Sequence, residues 1–304
     1  MRILLVGQAA FAEKVLEGLV QAGEEVVGVI CPPDTGDKLD PLKAAAFGYR
    51  IPVYQFRDLK GPDARAAFEH VRADLALLAY VTQIVPEALL HLPHLGTLCF
   101  HPSLLPRYRG GSAIPWQLIR GETRTGVTVF WTDAGIDTGP ILLQREAAIG
   151  PDDTATTLYY RTLFPLGVQT CLDAVALVRA GNPPRLPQDE ARATYDPLLT
   201  DAHAAIDWAR PAPALHDLIR GCDPTPGAHT IWQGRRVRCF DPVRVTEDAL
   251  AHPPGTVVHV DDAGIVVAAG AGVVRCKRLR AEGGKAPAHE VAATIGLTAG
   301  VRLG

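Results

Sequence analysis

Short apolar runs alternate with amphipathic stretches through the first half of the chain. The pattern predicts buried strands at residues 2–6, 25–31, 74–80, 96–100 and 126–130, with helices at residues 11–22 and 154–180. Strands that alternate with helices are typical of right-handed βαβ crossovers, so we expect an α/β fold with a Rossmann-like, mostly parallel sheet. Because such sheets bind ligands beyond the carboxyl ends of their strands, functional residues are expected just after residues 80, 100 and 131.

The pattern changes after a proline-rich segment at residues 181–187. Beyond it the sequence predicts a helix at residues 212–220 and short strands at residues 230–232, 235–240, 256–260, 264–268 and 273–279. Short strands joined by glycine and aspartate turns are typical of a small β-barrel, here of OB-like type. We therefore expect a catalytic domain at residues 1–188, a linker at residues 189–204 and a C-terminal OB-like domain at residues 205–304.

Composition narrows the class of protein. The 304 residues are 47% hydrophobic and 21% charged with a net charge of −3, a balance typical of globular domains and without the basic excess of general nucleic-acid binders. The apolar start of the chain ends at Gln8, too early for a signal-peptide core, and no run reaches the roughly eighteen apolar residues of a membrane span. A cytoplasmic protein without a membrane partner is expected. The six cysteines are scattered, so we expect buried free thiols and no metal site.

The segment at residues 101–116 carries the densest candidate chemistry. It follows a predicted strand and combines His101 with Arg107 and Arg109, and its prolines and paired glycines favour a fixed, irregular backbone. The residues alone allow two interpretations. Either His101 caps the strand and hydrogen-bonds the loop, or the loop is stiff because it positions a catalytic histidine.

A second segment, residues 131–139, follows the strand predicted at residues 126–130. Asp133 and Asp137 each begin a turn-like step, so each is either a turn residue or an acid–base group. Since the two segments end neighbouring strand-like runs, His101 and Asp137 are expected to converge at one edge of the sheet. A carboxylate beside a histidine would orient the ring and favour its charged form.

The string HPSLLPRYRGGSAIPW at residues 101–116, followed by DAGIDTG at residues 133–139, resembles the signature of the folate-dependent formyltransferase family. Further similarity lies at Gly7 and Gln8, at residues 82–86 and at residues 219–228, so the resemblance spans essentially the whole chain. It implies the formyltransferase fold and removal of the formyl group from N10 of the co-substrate 10-formyltetrahydrofolate. It also implies that neither a metal nor a nicotinamide nucleotide takes part.

The resemblance assigns roles to individual positions. It implies that His101 and Asp137 are the catalytic pair, and the family's catalytic Asn falls at Cys99, which turns the usual triad into a pair. The positions that match folate-binding segments are Leu78, Ala79, Tyr80 and Val81 on one side, and Asp133, Ala134, Gly135 and Ile136 on the other. Two roles stay open for Ser103, Arg107 and Arg109, which bind the formyl acceptor or brace the loop.

Within the family, the sequence is most similar to the N-terminal hydrolase domain of 10-formyltetrahydrofolate dehydrogenase, and next to methionyl-tRNA formyltransferase. Residues 31–40 form a short acidic loop where the tRNA enzymes usually have a longer basic one, and acidic side chains suit tRNA phosphates poorly. Formyl transfer or hydrolysis is therefore predicted, with water, a thiol or a separate carrier protein as acceptor. Transfer to methionyl-tRNA, or to a sugar or amino-acid amine, is the alternative. The acceptor, the oligomeric state, the compensation for the missing Asn and the role of the C-terminal domain stay open.

Two other classes of protein compete with this interpretation. The strand–glycine–helix start is shared with nucleotide-binding oxidoreductases, but the chain after Gly7 lacks the Gly-x-Gly-x-x-Gly that lets a pyrophosphate approach. A non-catalytic RNA-binding protein with an OB-like domain is suggested by the basic residues at 235–238 and 275–280. Nearby acidic residues nearly cancel that charge, which favours an ordinary solvated strand face.

Overall fold

The computed structural model describes residues 1–36, 38–245 and 252–304. Contacts divide the chain into two compact units. The first unit comprises Met1–Gly111, Gly126–Ala147 and Arg161–Asp196, and the second comprises Ser112–Thr125, Ala148–Tyr160 and Pro197–Gly304. The predicted domain limits, at residues 1–188, 189–204 and 205–304, stay a prediction. By contacts, residues 189–196 belong to the first unit and residues 197–204 to the second.

The elements follow one another in a strand–helix alternation and then in a run of strands. The strands are β1 (Arg2–Gly7), β2 (Glu25–Cys31), β3 (Val53–Gln55), β4 (Leu75–Ala79), β5 (Thr97–His101), β6 (Arg124–Trp131), β7 (Ile141–Ala148), β8 (Ala228–Trp232), β9 (Arg235–Arg244), β10 (Val257–Asp261), β11 (Gly264–Ala268), β12 (Val273–Arg280) and β13 (Ala286–Pro287). The helices are α1 (Ala9–Gln21), α2 (Pro41–Gly48), α3 (Pro62–Val71), α4 (Glu87–Leu90), α5 (Ala113–Ile119), α6 (Ala155–Leu158), α7 (Phe164–Arg179), α8 (Ala212–Cys222) and α9 (Ala288–Ile295).

A seven-stranded sheet in the order β3-β2-β1-β4-β5-β6-β7 forms the centre of the first unit. Its strands β1 to β5 pair in parallel, and β1 and β4 are almost wholly buried, as apolar strands covered on both faces must be. The strand order reverses between β1 and β4, which places a crevice beyond the ends of these two strands. The predicted α/β fold with a mostly parallel sheet is confirmed.

β6 runs in the opposite direction to the one assumed when His101 and Asp137 were predicted to converge at the ends of neighbouring strands. β6 pairs with β5 in the antiparallel sense, with Leu98 opposite Trp131 and His101 opposite Thr128. The end of β6 therefore lies beside the start of β5, and not at the edge where His101 lies. Residues 132–140 must return along the sheet to bring Asp137 to His101, so the two residues meet by a different route from the one predicted.

Two predicted local structures are also corrected. The segment at residues 101–116 was expected to be irregular throughout, but α5 begins at Ala113, where the apolar residues take helical spacing. The helix predicted at residues 154–180 is interrupted by a π-helical turn at Tyr159–Leu163 before α7 begins. Both differences reflect local backbone geometry, which the spacing of apolar residues does not specify.

The second unit contains an antiparallel sheet in the order β10-β11-β12-β9-β8, with β13 paired to β12. Helix α8 buries Leu215, Leu218 and Ile219 in the core of this unit, and α9 contributes Ala288 and Ala292. A second domain built on antiparallel strands is thus confirmed. Its closure into an OB-type barrel stays a prediction.

One helical stretch, Ala155–Arg179, is long and apolar enough to cross a membrane when judged by length and composition alone. This is weak evidence, because the core helix of a globular protein passes the same test. Within the stretch, α7 buries a face that includes Cys171 and Ala174.

Aromatic packing fixes α7 against the sheet of the first unit. The ring of Phe11 in α1 lies 4.4 Å from that of Phe100 in β5 and 5.5 Å from that of Phe164, centroid to centroid. Gly167 passes these rings so closely that an added Cβ atom would lie 2.6 Å from Phe100 and 3.0 Å from Phe11. A glycine inside a helix usually costs stability, but here the absence of a side chain allows the packing.

We expect Gly167→Ala to lower the free energy of unfolding of the first unit by about 1–3 kcal/mol, because overpacking outweighs the roughly 1 kcal/mol gained in helix propensity. Gly48→Ala at the end of α2 is the matched control. Its new methyl group would meet no atom within 4 Å, so stability should stay constant or rise. Differential scanning calorimetry compares the two variants, and an unchanged or raised melting temperature for Gly167→Ala would contradict the packing argument.

Candidate functional site

The last residue of β5 is His101, and its ring is buried at the start of the loop at residues 102–111. Its Nε2 atom lies 2.7 Å from the carbonyl oxygen of Tyr108. Its Nδ1 atom faces the carboxylate of Asp137, 3.5 Å from Oδ2. The predicted convergence of His101 and Asp137 is therefore present in the structure.

These contacts assign the tautomer of His101. A carbonyl oxygen can only accept, so Nε2 must carry a hydrogen and donate it to Tyr108. Nδ1 then has a lone pair in the neutral ring and a second hydrogen in the charged ring. The atom that gains or loses a proton is consequently the one that faces Asp137.

Asp137 is held from both its side chain and its main chain. Its Oδ2 atom accepts a hydrogen bond of 2.7 Å from the amide of Gly110, and its main-chain oxygen accepts one of 2.9 Å from Nε2 of Gln188. Gln188 Nε2 also donates to the carbonyl oxygen of Gly139, at 2.8 Å. The carboxylate that faces His101 is thus attached, through Gly110, to the loop at residues 102–111, which we call the histidine loop.

Left-handed backbone marks this edge of the sheet. Tyr80, Tyr108 and Asp137 have φ of 63°, 62° and 57°, a region that costs residues with a side chain about 1–3 kcal/mol each. Tyr80 follows β4 directly, and the other two present the groups that contact His101. Strain of this kind persists where surrounding contacts enforce it, and such positions cluster at functional sites.

Thr128 in β6 attaches the histidine loop to the sheet. Its buried hydroxyl donates to the carbonyl oxygen of Ser103 at 2.6 Å and accepts from the amide of Leu105 at 3.2 Å. Gln144 also donates to this hydroxyl, at 2.9 Å, and to the carbonyl oxygen of Leu105, at 2.8 Å. Sequence reasoning missed this anchor, because a threonine in an apolar strand looks like any other core residue.

Ser103, Arg107 and Arg109 were predicted either to bind the acceptor or to brace the loop. All three make contacts inside the loop or with residues 188–190. Ser103 is buried and its hydroxyl donates to the carbonyl oxygen of Arg107, at 2.6 Å. The Arg107 guanidinium lies over the ring of Tyr108. Arg109 is buried and binds Glu190 through two hydrogen bonds of 2.9 and 2.6 Å, which lowers the pKa of that carboxyl. These contacts are those of bracing residues.

Residues 186–196, which we call the strap, cross both loops. Leu186 exchanges two main-chain hydrogen bonds with Ile141. Ile141 directly follows residues 132–140, which we call the Asp137 loop. Thr194 accepts from the amides of Tyr108 and Arg109 through its hydroxyl and its carbonyl oxygen, at 2.7 and 2.9 Å, and donates its own amide to Pro106. Half of the predicted linker therefore supports the candidate site. Its position directly after the proline-rich segment at residues 181–187 hid this role.

Cys99, at the position of the family's Asn, lies within β5 opposite Phe130. Burial raises the pKa of its thiol well above the ordinary value, and the nearby Asp137 carboxylate raises it further. All six cysteines are free, and the other five are buried, as predicted. A thiol that stays protonated at neutral pH is not a nucleophile.

Three of the eight predicted folate-binding residues line two separate clefts. Tyr80 and Val81 line a cleft of about 290 Å³ at the ends of β1, β2 and β4, whose other walls are largely apolar side chains such as Phe56. Ile136 lines a second cleft of about 590 Å³ together with Arg109, Thr138, Ala193, Thr194 and Tyr195. The side chains of Leu78 and Ala79 are buried within β4, which pairs with β1 and β5.

Asp133 shapes the loop that presents Asp137. Its Oδ1 atom accepts hydrogen bonds from the amide of Gly135 at 3.0 Å and from the hydroxyl of Thr138 at 2.6 Å. A side chain at Gly135 would collide with Thr138, since an added Cβ atom would lie 2.0 Å from Oγ1. Ala134 and Gly135 therefore form a tight turn, and Asp133 acts in it as a turn residue.

The start of α1 differs from a dinucleotide-binding turn. The amide of Ala9, with φ of 58°, donates to both carboxylate oxygens of Asp40, at 3.2 and 2.9 Å. An added Cβ atom at Gly7 would lie 2.2 Å from the carbonyl oxygen of Ala79, so this glycine is required by the approach of β4. The position where a pyrophosphate would bind thus carries the chain's own negative charge.

No cluster of three or more His, Cys, Asp or Glu side chains suited to hold a metal ion occurs within residues 1–36, 38–245 and 252–304.

Two protein-family models match the chain. The one described as Formyl transferase matches residues 1–172, and the one described as Formyl transferase, C-terminal domain, matches residues 198–294.

Curated relatives carry two names. Cytosolic 10-formyltetrahydrofolate dehydrogenase is 44% identical over 245 residues in Xenopus tropicalis and 40% identical over 272 residues in Homo sapiens, covering 79% and 84% of this chain. These matches cover only 27% and 30% of the dehydrogenases, so the chain spans less than a third of their length. Methionyl-tRNA formyltransferase of Geobacter metallireducens is 36% identical over 311 residues, covering 100% of this chain and 99% of that protein.

Solved structures share the fold. HypX from Aquifex aeolicus, in complex with tetrahydrofolic acid, has a TM-score of 0.70 at 20% identity over 97% of this chain and 47% of that one. The N-formyltransferase from Helicobacter canadensis, in complex with folinic acid and dTDP-3-aminofucose, has a TM-score of 0.71 at 18% identity, covering 90% of this chain and 98% of that one. The fold of the chain is that of the formyltransferases.

The raised pKa of Cys99 predicts a slow reaction with alkylating reagents. Because alkylation requires the thiolate, we expect iodoacetamide at pH 7.5 to leave Cys99 unmodified in the native protein over a time that modifies free cysteine completely. Peptide mass spectrometry measures the modified fraction, and the same protein in urea serves as the control, in which all six cysteines should react. Rapid native modification of Cys99 would show that its thiol is activated.

Proposed function

The chain belongs to the formyl transferase family of enzymes, and from this premise we propose that it removes the formyl group from N10 of 10-formyltetrahydrofolate with His101 and Asp137 as the catalytic pair. The single observation that carries the assignment is the placement of Nδ1 of His101 3.5 Å from the Asp137 carboxylate, with Nε2 occupied by Tyr108. The resemblance seen in the sequence is confirmed at the level of the family.

The geometry supports an acid–base role for the pair. A nucleophile such as water adds to the formyl carbon and gives up a proton, which Asp137 is placed to accept. The formyl oxygen becomes an oxyanion, and the charged ring of His101 is placed to stabilise it through Nδ1–H. The C–N10 bond then breaks as N10 takes a proton. With water as the nucleophile, the products are formate and tetrahydrofolate.

The separation between His101 and Asp137 suits this sequence of steps. A distance of 3.5 Å is longer than a normal hydrogen bond, so the Nδ1 hydrogen is not committed to the carboxylate. Cys99 offers only a weak S–H donor where the family has an Asn amide. Losing one oxyanion donor costs about 3 kcal/mol in other acyl-transfer enzymes, so we expect slow turnover.

The strand ends offer suitable surfaces for an aromatic ligand. Tyr80, Ile84 and Ile136 are large apolar side chains exposed near the ends of β4 and in the Asp137 loop. Exposed apolar residues at a site that also carries fixed polar groups are typical of ligand-binding clefts. We infer that the folate ring binds between the segment after β4 and residues 133–136.

Water is our first choice of acceptor. The loop at residues 31–40, of which Asp37 lies outside the described residues, holds Asp34 in an ion pair with Lys43 and directs Asp40 at the amide of Ala9. Such a surface offers little to tRNA phosphates. Transfer to methionyl-tRNA is the second candidate, because the match to the Geobacter enzyme covers both chains from end to end.

The basic residues of the second unit support a structural role better than RNA binding. Arg236 and Arg238 both bind Asp201, at 2.7 and 3.1 Å, and Arg275 binds Asp261, at 2.8 Å. Lysines and arginines already paired with carboxylates would have to exchange those partners for phosphates.

The first test replaces His101. We expect His101→Gln to lower kcat about 10²- to 10⁴-fold, because the amide cannot exchange a proton. The matched control is His94→Gln. His94 also lies beside a carboxylate, 3.7 Å from Asp74, but is exposed on the surface, and its replacement should leave kcat unchanged. Tetrahydrofolate formation is followed in both variants, and full activity of His101→Gln would remove this residue from the mechanism.

The second test identifies the acceptor. Incubation with 10-formyltetrahydrofolate alone should release tetrahydrofolate and formate in equal amounts. Charged initiator tRNA, small thiols and amino sugars are then added separately, and formylated products are measured by mass spectrometry. Turnover that appears only with the tRNA would favour the second candidate over hydrolysis.

A further inference from the structure

A single side chain of the strap joins the two catalytic loops. Gln188 is half-buried, although residues 184–187 and 189–192 on either side of it are exposed. Its Nε2 atom donates to the carbonyl oxygens of Asp137 and Gly139, at 2.9 and 2.8 Å. Its Oε1 atom accepts from Nη2 and Nε of Arg109, at 2.8 and 3.3 Å.

These contacts use the full hydrogen-bonding capacity of the amide. A glutamine side chain has two N–H donors and one oxygen with two lone pairs, and all four are engaged. The orientation of the amide is also determined, because a guanidinium can only donate and the two carbonyls can only accept. No other side chain of this length can donate twice on one side and accept twice on the other.

The bonds of Gln188 extend to both members of the catalytic pair. On one side, they fix the main chain at Asp137 and two residues after it, at Gly139. On the other, they fix Arg109, which lies between Tyr108 and Gly110 in the sequence. Tyr108 accepts from Nε2 of His101, and Gly110 donates to the carboxylate of Asp137.

We propose that Gln188 is a positioning residue of the formyl-transfer site, which sets the distance between Nδ1 of His101 and the carboxylate of Asp137. This inference rests on the proposed function. Gln188 itself touches neither His101 nor the Asp137 carboxylate, so its effect on catalysis is indirect. The amide acts by holding the two irregular loops in register, together with the direct bond from the amide of Gly110 to the carboxylate of Asp137.

Gln188→Glu tests the proposal with the smallest change of shape. A carboxylate keeps the bonds from Arg109 but cannot donate, so it repels both carbonyl oxygens and releases the Asp137 loop. We expect kcat to fall about 10²-fold, the loss that an error of about 1 Å in a catalytic group produces. The KM for 10-formyltetrahydrofolate should change less than kcat, because the bonds of Gln188 end at Asp137 and Gly139, whereas the turn at residues 133–135 keeps its own hydrogen bonds to Asp133. Gln188→Met, which keeps the length without any hydrogen bond, should also lose kcat.

Gln169→Glu is the control. Gln169 likewise donates through Nε2 to an oxygen, Oδ1 of Asp173 at 2.9 Å, but on the exposed face of α7. The same replacement there also turns a hydrogen bond into a repulsion, and it should leave kcat within about twofold, since Gln169 contacts neither catalytic loop. Melting temperatures of all variants separate a loss of position from a loss of fold.

A second readout works without turnover. The amide of Gly110 is protected by Oδ2 of Asp137, so its hydrogen exchange reports where the carboxylate lies. Exchange at Gly110 should become at least tenfold faster in Gln188→Glu and stay unchanged in Gln169→Glu. Exchange mass spectrometry over short peptides that contain residue 110 makes this measurement.

The two readouts separate failure of the proposal from failure of the proposed function. If the wild-type protein does not turn over 10-formyltetrahydrofolate with any acceptor, the proposed function is wrong, and exchange at Gly110 still decides whether Gln188 holds the Asp137 loop. If the wild type is active and Gln188→Glu keeps both its kcat and its Gly110 protection, Gln188 has no positioning role. A parallel fall of kcat and melting temperature, with no faster exchange at Gly110 below the melting temperature, would assign it a purely structural role.

Discussion

The hydrogen bond from Nε2 of His101 to the carbonyl oxygen of Tyr108 determines the rest of the site. It selects the tautomer and leaves Nδ1 as the ring atom that faces Asp137. For Tyr108 to present its carbonyl oxygen, its backbone must be left-handed, which costs free energy that neighbouring contacts have to offset. Thr128 supports the loop from the sheet, and Thr194 supports it from the strap. The irregular loop after β5 is therefore a support for one imidazole ring, and its polar backbone groups are bonded to keep that ring in place.

The sequence predicted five of the seven strands of the first sheet, because buried strands need apolar residues and such runs stand out against the amphipathic helices between them. It did not predict the edge strands β3 and β7, which are only partly buried. The direction of β6 was not predictable in the same way, since an apolar run has the same composition in either direction. The antiparallel pairing with β5 changed the route by which Asp137 reaches His101. Residues 189–196 were assigned to a linker because they follow the proline-rich segment at residues 181–187. Their contacts are hydrogen bonds to residues far away in sequence. Gln188 bonds to Arg109, which lies 79 positions earlier in the sequence. Periodicity and composition describe neighbouring residues, so neither can predict a contact between positions this far apart.

The position of Cys99 shows how a strand environment limits chemistry. Burial beside Asp137 disfavours a second negative charge, so the thiol remains protonated and cannot replace a nucleophile or a strong donor. The proposed reaction then relies on the two groups that face each other at 3.5 Å, Nδ1 of His101 and the carboxylate of Asp137. Under that proposal, His101 is the side chain placed to stabilise the oxyanion, because Cys99 offers only a weak S–H donor.

Stability and positioning are supplied by different parts of the first unit. The aromatic contacts around Phe11 and the buried strands hold the unit together through apolar burial, which is large and insensitive to small displacements. The strap adds little of this kind, because most of its residues are exposed and its ion pair between Arg109 and Glu190 is open to solvent on the acidic side. The strap instead fixes the orientation of the loops that it bonds, since hydrogen bonds weaken steeply when their angles change. A half-buried amide with four bonds can thus define the distance between two catalytic groups while contributing little to the free energy of unfolding, and for that reason a change at Gln188 can alter the chemistry without altering the fold.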